Sequence, residues 1–293
     1  MSVIAAAPFV LVLGVAQDAG HPQAGCEKTC CAEVFSGVAP GHSASSLAIV
    51  DPASGERWIL DASPDLPRQL HALQQQAPRR ATAPILDGVL LTHAHMGHYM
   101  GLAHLGREVM GTDGIEVWAM PRMGSFLREH GPWSQLVELG NITLQPLTGG
   151  QAVSLNERIT ATPLQVPHRD EFSETVGFVI RGPGRAVLYL PDIDKWERWS
   201  TPIEEVIAQV DVAYVDGTFF EDGEIPGRSM DEIPHPFVIE SMTRFASLPD
   251  SERTKVRFLH LNHTNPLLGT GPERGQVEAA GFHVADEGER QGL

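Results

Sequence analysis

The sequence predicts an α+β fold, an αββα sandwich in which two mixed β-sheets pack face to face between outer helices. Two β-rich halves, each finishing with helices, point to two sheets that bury one face against each other and cover the other with helix. Of 293 residues 42% are hydrophobic, enough for a full core. No stretch is long enough to serve as a linker and no internal repeat occurs, so residues 1–293 read as a single domain.

Phe9 to Val15, Ser46 to Val50 and Trp58 to Asp61 are short apolar runs separated by Gly- and Pro-rich turns, the pattern of hairpin-like β structure. Ala5 to Val15 lacks the basic flank and cleavage region of a signal peptide, and Gln17-Asp18-Ala19-Gly20 reads as a turn. Pro64-Asp65-Leu66-Pro67 opens a helix carrying Leu70 and Leu73, and Gln74 to Pro84 is a polar exposed connection. Ile85 to Leu91 is a buried strand. After it Leu102, Leu105 and Val109 recur at helical spacing, which predicts a helix over Tyr99 to Met110 with one face inward. Ile115 to Ala119 resumes the β pattern, and Pro121 to His130 is a short helix. Strands follow at Ile142 to Leu144, Ile159 to Val166, Thr175 to Ile180 and Ala186 to Leu190. A helix at Ile203 to Val210 leads into a strand at Asp211 to Val215, and one at Pro236 to Phe245 leads into Val256 to His260. Pro272 to Ala280 is the last helix and Phe282 to Ala285 a late strand.

Lys and Arg total 21 against 37 Asp and Glu, a net charge of −16 that repels nucleic acid and anionic membranes. No run is long enough to span a bilayer. The partner to expect is a small molecule, and a homodimer is compatible with the sequence. The three cysteines all fall between Cys26 and Cys31, an odd cluster ill suited to a disulfide framework. It suits metal binding in a reducing cytoplasm.

The densest chemical signal is Thr92-His93-Ala94-His95-Met96-Gly97-His98, directly after a buried strand. Residues two apart in an extended turn point to one side, so His93 and His95 can grip one ion. His98, at the start of a helix, aims back toward the same point. Neutral imidazole is the commonest protein ligand for zinc, and three imidazoles leave a coordination position open. Other strand ends add donors: His168, Asp192, Asp216 and His260 each follow an apolar run. Strand ends on one edge of a sheet converge in space, and His and Asp are the types that zinc, manganese or iron select.

In this order, His-x-His-x-x-His, then a lone His, a lone Asp and a late His, the chain resembles the metallo-β-lactamase superfamily over nearly its whole length. The resemblance implies that His93, His95 and His168 hold a first metal, that Asp192 bridges, and that His98 and His260 hold a second. The superfamily motif carries Asp just before its third histidine, where this chain has Gly97, so a weakened, altered or empty second site is expected. Within the superfamily, Val12-Leu-Gly-Val-Ala-Gln-Asp-Ala-Gly-His-Pro-Gln23, Asp61-Ala-Ser-Pro-Asp65 and Asp216-Gly-Thr-Phe-Phe220 look like the pyrroloquinoline quinone biosynthesis B family. His260-Leu-Asn-His-Thr-Asn-Pro266 and Pro272-Glu-Arg-Gly-Gln-Val-Glu-Ala-Ala-Gly281 extend that resemblance. In that family the first histidine motif is altered; here His93 and His95 are intact. A phosphodiesterase branch of the superfamily has three cysteines after its first strand, completed as a structural zinc site by a histidine three residues past the late ligand. The corresponding residues are Cys26, Cys30, Cys31 and His263.

The resemblance implies metal-assisted hydrolysis of an ester, lactone or phosphodiester, with a metal-bound water as nucleophile. Asp192 would orient that water, and His260 would serve as ligand or proton donor. His235 lies where the quinone-pathway family also carries a histidine and is a candidate for contact with substrate. Asp65 and Asp216 are candidates to orient the ligating imidazoles. Zinc is the expected metal, with manganese or iron compatible with the same donors. Two other readings remain open: a non-haem iron oxygenase in quinone-cofactor assembly, and a non-catalytic carrier of such a cofactor.

Overall fold

A computed structural model describes residues 6–81, 83–225, 227, 229, 230 and 233–293. Ala5, in the first apolar run, and Thr82, in the polar connection, lie outside them. In chain order the first strands are β1 (Phe9–Gly14), β2 (Ser46–Asp51), β3 (Glu56–Leu60), β4 (Gly88–Leu90), β5 (Ile115–Ala119), β6 (Ile142–Pro146) and β7 (Val153–Ser154). They are followed by β8 (Thr160–Gln165), β9 (Val176–Arg181), β10 (Ala186–Leu190), β11 (Val212–Asp216), β12 (Val256–Leu259), β13 (His283–Val284) and β14 (Arg290–Gly292). The helices are α1 (Thr29–Phe35), α2 (Leu66–Gln76), α3 (Met96–Tyr99), α4 (Pro121–Glu129), α5 (Trp133–Glu138), α6 (Ile203–Ile207), α7 (Val238–Phe245), α8 (Asp250–Arg253) and α9 (Pro272–Ala279).

Two seven-stranded sheets form the centre, ordered β14-β1-β2-β3-β4-β5-β6 and β13-β12-β11-β10-β9-β8-β7. Both are mixed. In the first, β1 to β3 are antiparallel and β3 to β6 parallel. In the second, β7 to β10 are antiparallel and β10 to β13 parallel. Side chains alternate across each strand, so one sheet feeds two apolar layers. Leu47, Ile49, Trp58 and Leu60 meet Phe178, Ile180, Val187 and Tyr189 between the sheets. Their neighbours Ala48, Val50 and Ile59 pack with Leu70 and Leu73 of α2 and Leu127 of α4. On the far side, Leu188, Leu190 and Val215 pack with Val206 of α6, Phe245 of α7 and Val277 of α9. This is the αββα sandwich. Each fully buried Leu, Ile or Phe contributes roughly 1.5–3 kcal/mol to it.

The helix expected over Tyr99 to Met110 is broken. α3 gives way to a 3₁₀ turn over Met100–Leu105. Leu102 and Leu105 are buried as the spacing demands, but Val109 is 62% exposed. The cause is a close approach at Gly101, where a Cβ would lie 2.1 Å from the Ser63 carbonyl oxygen. The Gly101 N–H donates to the Ala62 carbonyl at 2.9 Å, so it is diverted from an α-helical partner. The strand expected from Ile85 to Leu91 is shorter, Gly88–Leu90, and α1, α5, β7 and β14 carried too little periodic signal to be read.

Backbone bonds tie the loops at one edge of the sandwich together. Leu261 N–H donates to Val15 O and Gln17 N–H to Leu261 O, each at 2.8 Å. Val176 N–H reaches Thr92 O at 3.1 Å, and Asp194 N–H reaches Pro167 O at 2.8 Å. The ends of β1, β4, β8, β10 and β12 are thereby held as one surface.

Candidate metal centre

β4 runs between β3 and β5, and the chain leaving it carries Thr92, His93 and His95 into α3, which carries His98. His168 follows β8, Asp192 follows β10 and His260 follows β12. The structure brings all six site residues together. The inward atoms of His93, His95, His168 and Asp192 lie within 4.8 Å of one another. A second set of the same span comprises His98, Asp192, His260 and Asp18, and a third comprises Asp192, Asp216 and His235. Asp192 is common to all three and is 3% exposed.

One hydrogen-bond pattern orients the imidazoles. The Thr92 hydroxyl donates to Asp61 Oδ1 at 2.9 Å, so its oxygen accepts from His93 Nδ1 at 3.0 Å. His98 Nδ1 donates to Asp61 Oδ2 at 2.8 Å. The Thr218 hydroxyl donates to Asp216 Oδ1 at 2.7 Å and accepts from His260 Nδ1 at 2.9 Å. His168 Nδ1 faces Asp194 Oδ1 at 3.3 Å, and His95 Nε2 faces Glu171 Oε2 at 3.1 Å. Each of the five rings thus spends one nitrogen on an outer acceptor and turns the other inward, an assignment that follows from donor counting.

The inward nitrogens meet carboxylates. His93 Nε2 and His168 Nε2 are each 3.3 Å from Asp192, and His98 Nε2 is 3.1 Å from Asp18 Oδ1. A lone pair facing a carboxylate needs a proton or a cation between them. Asp18 Oδ1, His93 Nε2, His98 Nε2, Asp192 Oδ1 and His260 Nε2 are buried polar atoms without a hydrogen-bond partner. Unpaired buried donors and acceptors cost about 1–3 kcal/mol each, and divalent cations in the two sets that share Asp192 would satisfy them with N and O ligands of the kind they prefer. The residues fit the metal.

The electrostatics follow from burial opposed by neighbours. Burial raises the Asp192 carboxyl, but His168, His235 and His260 outweigh it and hold Asp192 well below the ordinary range. Asp18 is held low in the same way, by the facing His260 and His98 imidazoles against its burial. Burial pulls His98 down, yet the Asp61 and Asp18 carboxylates hold it well above the ordinary value. His93, deprived of solvent and next to His98, is held well below it.

His235 Nδ1 sits 2.8 Å from Asp216 Oδ2 and 3.3 Å from Asp192 Oδ1. With Arg169, Gln17, Thr218, Phe219 and Asn262 the ring lines a cavity of about 280 Å³ beside the cluster. Asp216 occupies the orienting place expected for it. Asp65 does not: it accepts from the Ala44 N–H at 2.9 Å, at the start of α2. Asp61, 0% exposed and at φ 64°, takes the role instead. Its place at a strand end, like that of Asp216, was the signal to read. Asp18, read only as a turn residue, was missed as a member of the cluster.

The cysteines lie at the same edge. Cys26, Cys31 and His263 present donor atoms within 4.8 Å of one another. Cys30 falls outside that set, although its thiol adjoins the other two. Cys30 and Cys31 are consecutive on α1, and consecutive helical side chains do not face one way. Burial pushes the Cys31 thiol up to about 12, while burial and then Lys28 lower His263.

A family model described as the beta-lactamase superfamily domain matches residues 56–252. Coenzyme PQQ synthesis protein B of Methylorubrum extorquens is 30% identical, covering 95% of this chain and 98% of its own. The crystal structure of Zn²⁺-bound PqqB from Methylobacterium extorquens superposes with a TM-score of 0.82 at 25% identity, over 97% of this chain and 100% of that one. A diphosphatase of the PhnP family shares the fold, with a TM-score of 0.69 at 18% identity over 99% and 98% of the two chains.

Proposed function

Because the chain belongs to the metallo-β-lactamase superfamily and is similar throughout to coenzyme PQQ synthesis protein B, we propose that it is a metal-dependent hydrolase of an ester, lactone or phosphodiester. The observation that carries this reading is the set of five imidazoles, each tied outward through one nitrogen and turned inward through the other, four of them onto the Asp192 and Asp18 carboxylates and His95 beside His168. His93, His95, His168 and Asp192 would hold one ion, and His98, His260 and Asp192 would belong to a second site. Zinc is the expected ion, with manganese or iron accepted by the same donors. Bound there, such a cation lowers the pKa of coordinated water toward 7 and polarises the bond under attack.

The chain's own residues supply the rest. Asp192, gripped by imidazoles on both sides, orients the attacking water. Asp216 holds His235 Nδ1, so proton exchange with a substrate in the cavity falls to Nε2 and places His235 as proton donor to the leaving group. Arg169, at the cavity wall, favours an anionic substrate, which makes a phosphodiester the preferred class despite the net charge of −16. Cys26 and Cys31 with His263, joined by Cys30, form a closed site for structural zinc. The unpaired thiols suit a reducing cytoplasm. No helix among the described residues is long and apolar enough to cross a membrane.

Turnover of bis-p-nitrophenyl phosphate by the zinc- or manganese-loaded protein, lost in His93→Ala, is the expected result. The similarity to proteins named for coenzyme PQQ synthesis favours one rival, an iron oxygenase of quinone-cofactor assembly. Oxygen uptake with a tyrosine-like substrate and no phosphodiester turnover would replace the hydrolase by that rival. Quinone binding with neither activity would leave a carrier.

A further inference from the structure

Gly97 stands where the superfamily motif has an aspartate, and the space beside it is filled from elsewhere in the chain. A Cβ placed on Gly97 would lie 2.4 Å from both Cα and Oδ1 of Asp18, and 2.9 Å from its Cβ. A side chain at 97 and Asp18 in its present position are therefore mutually exclusive. We propose that Asp18, on the loop after β1, supplies to the second metal the carboxylate that the histidine motif lacks, so that the ligand has moved from α3 to a different strand end. This rests on the metallo-hydrolase reading of the site.

The geometry around Asp18 is that of a ligand. Its Oδ1 is 3.1 Å from His98 Nε2 and 3.5 Å from His260 Nε2. With Asp192 these atoms fall within one span of 4.8 Å. Both imidazoles are anchored through Nδ1, to Asp61 and to Thr218, so it is their inward nitrogens that meet Asp18. Asp18 Oδ1, His98 Nε2 and His260 Nε2 are all buried without a hydrogen-bond partner. Two imidazole nitrogens and two carboxylates make a donor set of ordinary composition for zinc or manganese. The loop is positioned for the task by Gln17 N–H on Leu261 O, which fixes it against the residue after His260, and by a turn in which Gly20 N–H donates to Gln17 O at 2.7 Å. The second site then keeps its charged ligand and is neither weakened nor empty on account of Gly97.

The test is metal stoichiometry by elemental analysis with calorimetric titration of zinc and of manganese, on the full chain, corrected for the ion held by the cysteines. The wild type is expected to take up two ions at the histidine cluster. Asp18→Asn, which keeps the shape, and Asp18→Ala are each expected to retain one, with affinity for the other lowered at least tenfold. The exchange variant Asp18→Gly/Gly97→Asp, which returns the carboxylate to the motif position and vacates the space it needs, is expected to recover the second ion. Unchanged stoichiometry and affinity in folded Asp18→Asn and Asp18→Ala, judged by circular dichroism, would overturn the proposal. A wild type that binds no ion at the histidine cluster would instead overturn the hydrolase reading itself, which separates the two failures.

Discussion

Thr92 and Thr218 occupy matching places in the two sheets: each hydroxyl donates to a strand-end aspartate, Asp61 or Asp216, and accepts from Nδ1 of an inward-facing imidazole, His93 or His260. A hydroxyl has one proton, so giving it to the aspartate obliges the oxygen to accept, and this selects the histidine tautomer. The same aspartates reach a further ring directly, Asp61 to His98 and Asp216 to His235. Two short relays, one per sheet, thus set the direction of four imidazoles.

Thr218→Val keeps the shape and removes the relay. It leaves His260 Nδ1 without its acceptor and Asp216 with one donor fewer, at an expected cost of about 1–3 kcal/mol in urea unfolding. Because the partner of a ligating imidazole fixes its orientation, metal affinity is expected to fall about 10–100-fold. Calorimetry showing wild-type affinity in this variant would contradict the relay.

His235→Gln separates chemistry from metal binding. The ring lies on the cavity wall and its polar contacts with the cluster are to Asp192, Asp216 and the Thr218 hydroxyl. Phosphodiester turnover is expected to fall about 10²–10⁴-fold with metal content unchanged. Loss of metal in step with activity would assign His235 to the ion and not to proton transfer.

Metal uptake is expected to release protons. Burial pulls His168 down, but Asp192 and Asp194 raise it to about 10, and His98 is also held above its ordinary value. Without an ion both rings therefore carry protons at neutral pH, and a cation must displace them. Affinity is expected to rise with pH until His168 deprotonates near 10 and to fall on acidification. Zinc titrations in two buffers of different ionisation enthalpy count the protons, and equal heats in both would speak against the displacement.

Cys31→Ala is expected to lose one zinc per chain while the histidine cluster keeps its metal. Cys31 is 0% exposed and its thiol sits among Cys26 and His263, so loss of the ion removes a crosslink between α1 and the loop after β12. A stability loss of at least about 2 kcal/mol, roughly 4–8 °C in Tm, should be visible by calorimetric melting. A variant that melts like the wild type with full zinc content would exclude these thiols as ligands.

Much of this was legible along the chain. Short continuous apolar runs marked most of the strands, because a sheet buried on both faces leaves that signature. His93, His95 and His98 are neighbours in sequence, so their convergence needs only a strand and a turn. His168, Asp192 and His260 could be read as strand-end donors once the strands were placed. The helix after His98 could not, since its interruption comes from Ser63 and Ala62 pressing on Gly101 across a gap in sequence.

The sequence alone determined the sandwich, the inventory of imidazoles and thiols, and the loss of the motif aspartate at Gly97. Tertiary structure alone decided that Asp61, and not Asp65, orients the cluster, that the compact donor set is Cys26, Cys31 and His263 with Cys30 beside it, and that Asp18 fills the space beside Gly97. Local spacing fixes which way neighbouring side chains point. Which loops meet depends on strand order, and here the pairing of Val15 and Gln17 with Leu261 brings Asp18 to His260.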